Sequence, residues 1–142
     1  MTARVLPFAL ALAVLAAGCD YEGASKNSFV DDGNAICKET GATVIPTLQE
    51  LEAEGLPSSG EVRGFVGDVV VPALSKRVNR LRQLEPPSDD RKTIDALITA
   101  TQKGIGEVRS DPMQIIDGSP FLDANIEAES YGLDACVLRD AP

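Results

Sequence analysis

An apolar series advancing mainly in steps of three and four, Val62, Phe65, Val66, Val69, Ala73, Leu74, Val78, Leu81 and Leu84, runs for about 24 residues, and that period admits one regular structure, an amphipathic helix. Ser58-Ser59-Gly60-Glu61 opens it and Pro86-Pro87 closes it. The same period recurs on both sides. A first helix opens at Ser28, with Asp31 three residues on as a shortened capping box. It carries Ile36, Cys37, Val44, Leu48 and Leu51 inward and ends at Gly55. A third opens at Ser88, where Asp89 and Asp90 suit the positive end of the helix dipole. Its stripe is Ile94, Leu97, Ile98, Thr101, Ile105 and Val108, with Gly104 and Gly106 as weak points. After an aperiodic connection, Ser119-Pro120 opens a shorter fourth helix along Phe121, Ala124, Ala128 and Tyr131, up to Gly132. No segment alternates with a period of two. Short links join antiparallel neighbours, so the expected fold is all-α, an antiparallel up-down helical bundle of about four helices.

Two prolines interrupt the pattern. Val44-Ile45-Pro46-Thr47-Leu48 and Val70-Val71-Pro72-Ala73-Leu74 are near-copies, each with a proline where the helix should continue. A mid-helix proline removes an amide and crowds the carbonyl four residues back, here Ala42 and Asp68, so kinks are expected at Pro46 and Pro72. Counted along ideal helices from the turn at Ser58, the prolines stand about 18 and 21 Å away, at nearly one height. Two kinks at one level could open a small apolar pocket lined by Val44, Pro46, Val70 and Pro72. The plainer expectation is that both helices bend together around a filled core.

The N-terminus carries an address. Arg4 precedes an apolar run from Leu6 to Ala17, about 12 residues, which fits a secretory leader and is too short to span a bilayer. It ends in Leu15-Ala16-Ala17-Gly18-Cys19, a string that resembles a lipobox, the cleavage and acylation site of bacterial lipoproteins. That resemblance implies a lipoprotein signal peptide over residues 1–18, a lipidated flexible tether over 19–28 and a helical bundle domain over 29–142. Cys19 becomes the first residue and carries two or three acyl chains, enough for stable anchoring at the extracytoplasmic face of a cell membrane. The alternative is an ordinary secretory signal that releases a soluble protein. Asp20 resembles the signal that holds some Gram-negative lipoproteins at the inner membrane. The polar segment Asp20 to Ser28 reaches at most roughly 30 Å.

With Cys19 given to the lipid, Cys37 and Cys136 remain as an even pair in an oxidising compartment, where a disulfide is the expected state and two buried thiols the alternative. No metal site is expected, because the chain has no histidine and two thiolates do not complete a tetrahedral shell. Loss of the leader removes Arg4, one of 13 basic residues, and none of the 22 acidic ones, so the formal charge moves from −9 to −10. That balance excludes nucleic acid as a partner. Lys76, Arg77, Arg80 and Arg82 are expected at the surface, facing Asp31, Asp32 and Glu39. Without histidine, a free thiol or a Gly-x-Ser-x-Gly elbow, no catalytic residues, cofactor or enzyme activity are expected.

Asn34-Ala35-Ile36-Cys37, Leu84-Glu85-Pro86-Pro87 and Gly132-Leu133-Asp134-Ala135-Cys136 together resemble the pattern of small helical lipoproteins of high-GC Gram-positive bacteria. The resemblance implies a helical bundle clipped by a cysteine pair, and it supplies no ligand. The functional expectation is a membrane-anchored, non-catalytic lipoprotein that binds another cell-envelope protein. The alternative is a carrier or sensor of a small apolar ligand near Pro46 and Pro72.

Overall fold

The computed structural model describes residues 25–53 and 55–138. The leader, Cys19 and most of the tether lie outside the described residues. Those described form an all-α bundle of four long rods and one short helix.

The first rod, α1 (Lys26–Ala53), starts two residues before Ser28. Ser25 caps it: its hydroxyl accepts the Ser28 amide at 3.2 Å and its carbonyl accepts the Phe29 amide at 3.0 Å. The earlier start has a packing cause, since it brings Phe29 onto the inner face, where it is buried and meets Tyr131 edge to face at 6.0 Å. Phe29, Gly33, Ile36, Cys37 and Thr40 are buried, while Val44, Leu48 and Leu51 pack half-buried against the core. The helix runs unbroken through Pro46.

The second rod consists of α2 (Ser59–Phe65), a π-helical segment (Val66–Val70) and α3 (Val71–Leu81). Ser58 caps it by a reciprocal box: the Glu61 amide donates to Ser58 Oγ at 3.3 Å and the Ser58 amide to Glu61 Oε2 at 2.7 Å. Hydrogen bonds from the Ser58 side chain and amide hold the Glu61 carboxyl below its ordinary range. The π segment answers Pro72. It ends two residues before the proline, and the Val71 amide reaches back five residues to the Val66 carbonyl. The widened turn adds a residue, and Val70 is buried where Val69 was expected, while Leu74, Val78 and Leu81 are buried as expected.

A turn through Pro86-Pro87 and a 3₁₀ segment (Ser88–Asp90) lead into α4 (Arg91–Ser110), whose buried face is the expected stripe plus Gly104. The aperiodic connection contains a short helix, α5 (Gln114–Asp117). The last rod, α6 (Leu122–Tyr131), begins beyond Ser119-Pro120, which form a turn in which the Leu122 amide donates to the Ser119 carbonyl at 3.1 Å. That turn tucks Phe121 against α4 at Gly104, where a β-carbon would come within 2.5 Å of the Pro120 carbonyl oxygen. Tyr131 ties α6 to the head of α4, donating its hydroxyl hydrogen to Asp90 Oδ2 at 2.7 Å, and burial and this bond raise its pKa. α4 packs between α3 and α6, and α1 packs on α3 and on a final 3₁₀ turn (Asp134–Cys136).

Candidate functional site

The segment that follows α6 is held by three devices converging on α1. Gly132 adopts the left-handed conformation, φ 97°, that ends α6, and the next amide, that of Leu133, returns to the Ala128 carbonyl at 2.9 Å. Leu133 is then fully buried, against Gly33, where a β-carbon would lie 2.6 Å from Leu133 Cδ2. Asn34 bridges the turn that follows. Its Nδ2 donates to the Gly132 carbonyl at 3.1 Å and its Oδ1 accepts the Ala135 amide at 2.9 Å. Cys37 and Cys136 form a buried disulfide with Cα atoms 4.9 Å apart. Asn125 then grips Leu138 through both its amide and its carbonyl, at 2.7 Å each.

A groove of about 340 Å³ lies between α1 and the second rod. Ile36, Glu39, Thr40, Thr43 and Thr47 line it from α1, spaced so that they share one helical face. Asp68, Val69, Pro72, Ala73, Lys76, Arg77 and Arg80 face them. At the rim, Arg80 pairs with Glu39, and that hydrogen bond first, with the charges of Arg80 and Lys76, holds the Glu39 carboxyl below its usual range.

Arg77 is the unexpected member. It is 3 % exposed, donates Nη1 to the Cys136 carbonyl at 3.1 Å, and leaves its buried Nε–H without a partner. Burial pushes its pKa down to about 10, so it stays cationic at neutral pH. The Thr40 and Thr43 hydroxyls donate to the carbonyls of Ile36 and Glu39 on their own helix, which leaves only lone pairs for other partners.

The four residues expected to make an apolar pocket do not converge. Pro72 lines the groove, Val70 is buried in the core, Val44 is half-buried and Pro46 is exposed. Equal height along two helices does not fix their rotation, and the π segment turns Val70 inward. The basic cluster is also corrected. Arg80 meets Glu39 as expected, but Arg77 is in the interior and Arg82 donates to Gln102 Oε1 at 2.9 Å. A sequence signal for Arg77 did exist, since 70, 74, 77 and 81 continue one buried stripe.

Among the described residues no cluster of three or more His, Cys, Asp or Glu side chains could hold a metal ion, and no helix is long and apolar enough to cross a membrane. No family model, no curated protein and no solved structure matches the chain.

Proposed function

We propose that the chain is a lipid-anchored extracytoplasmic protein that works by binding another cell-envelope protein and performs no chemistry of its own. The observation that carries the reading is the Cys37–Cys136 disulfide. It suits an oxidising compartment and leaves Cys19, at the end of the lipobox-like string, as the one remaining sulfur of the three cysteines. Binding is favoured over catalysis because the thiols are committed to each other and Glu39 is committed to Arg80. The likeness to small helical lipoproteins of high-GC Gram-positive bacteria belongs to the same proposal. An apolar-ligand carrier is disfavoured, since the groove beside Pro72 is lined by two carboxylates and three cations.

Metabolic labelling with an alkynyl fatty acid tests the anchor. The wild-type chain is expected to take the label and sediment with membranes, and Cys19→Ala to do neither. Label retained by Cys19→Ala, or a wild-type chain that is unlabelled and fully soluble, would overturn the reading.

A further inference from the structure

We propose that the groove between α1 and α3 is a binding site for a small oxoanion, a carboxylate or phosphate group, with Arg77 at its floor. The inference does not depend on acylation.

A guanidinium taken out of water is ordinarily matched by a carboxylate, because its desolvation is otherwise uncompensated. Among the described residues Arg77 has no such counterion: it donates to a neutral carbonyl, and its Nε–H, with no exposed surface of its own, has no partner there. Glu39, the acid that α1 brings to the groove, is held by Arg80. The side chain is thus a desolvated planar fork with an unused donor at Nε, in a group whose geometry suits carboxylates and phosphates.

The surroundings fit an anionic guest. Lys76 and Arg80 flank Arg77 on the same helix and line the same groove, so three cations converge from α3. Across from them, Thr40 and Thr43 carry no charge, and each hydroxyl can donate to a guest only by giving up its bond to the helix carbonyl. The space, about 340 Å³, sits at the lower end of small-molecule sites, roughly 300–1,000 Å³. Glu39 and Asp68 also line it and offset part of the positive field, which selects a guest of one or two charges over a polyanion.

The test is a titration of the full ¹⁵N-labelled chain in nonionic detergent, read at the Arg77 Nε–H resonance. Inorganic phosphate and acetate are the probes, with sodium chloride at matched ionic strength as the control. Saturable displacement by phosphate, acetate or both, beyond that of chloride, is expected; which probe acts identifies the group. Lys76→Gln and Arg80→Gln lie at the surface and leave the core intact, and each should weaken binding about fivefold, the loss of one charge-assisted contact. Glu39→Gln frees Arg80 and should tighten it. Arg77→Met serves to assign the resonance, and selective labelling of arginine replaces it should that variant not fold. No displacement beyond chloride, or a displacement that Lys76→Gln and Arg80→Gln leave unchanged, would overturn the proposal.

Discussion

Replacing Cys37 and Cys136 together by alanine is expected to lower the stability of the bundle by about 4 kcal/mol, near the top of the usual range for one disulfide. The size follows from the sequence separation of 99 residues, because a longer closed loop removes more freedom from the unfolded chain. For a domain of this length the melting temperature should fall by roughly 15 °C. Heating the wild-type chain with and without dithiothreitol, beside the double variant, checks it. The reduced wild type and the variant should melt together. Asn34 and Asn125 still hold the chain end by four hydrogen bonds, so helix content at low temperature should persist. A drop below about 1 kcal/mol would mean that the denatured chain is already compact enough to make the cross-link redundant.

Gly104→Ala and Gly106→Ala are expected to move stability in opposite directions, although both put a better helix former into α4. At Gly104 the new methyl meets the backbone of Pro120, with Phe121 beside it, and a backbone atom cannot swing aside as a side-chain end can. Overpacking of this kind costs about 1–3 kcal/mol, more than the helix-propensity gain of under about 1 kcal/mol returns. At Gly106 a β-carbon meets open space, so the propensity gain of about 0.5–1 kcal/mol should appear nearly whole. Urea midpoints of the two variants at equal m-value decide it. Equal signs would show that α6 does not rest on α4 at the Pro120-Phe121 turn.

These two glycines also show what the residue pattern could and could not convey. Both read as weak points in a helix, which is correct for Gly106 and incomplete for Gly104. The difference lies in what α6 brings to α4, and no spacing within α4 encodes that. The four rods, the Ser58 cap and the stop at Gly132 were legible because each depends on neighbours within a few residues. Pro72 was legible as a missing amide. Its resolution by a π turn was not, since that depends on the gain from burying Val70 and Leu74 in the same core. Val70 turned into the core and Pro46 stayed exposed, so of the four residues placed at an apolar pocket only Pro72 lines the groove, and that groove is polar. Arg77 was misread for the opposite reason. Its charge was taken to decide its place, while the period of the helix already assigned position 77 to the interior.

Asn34, Gly132, Leu133 and Cys136 acquire physical roles in the same way. Asn34 bridges the final turn, Gly132 supplies the left-handed residue, Leu133 fills the space above Gly33, and Cys136 closes the bond to Cys37. Together they press the segment after α6 onto the first half of α1. The Cys136 carbonyl that receives Arg77 belongs to this clasp, so the floor of the groove is built on the cross-linked end of the protein.

The account rests on one partition of sulfur: Cys19 to lipid, Cys37 and Cys136 to each other. Intact-mass measurement of the chain extracted from membranes under non-reducing conditions, with an alkylating reagent present, reads both halves at once. The predicted mass is that of residues 19–142 with acyl groups added, two hydrogens missing and no alkyl adduct. A chain that keeps residues 1–18, lacks acyl groups or accepts alkylation at Cys37 and Cys136 would contradict it.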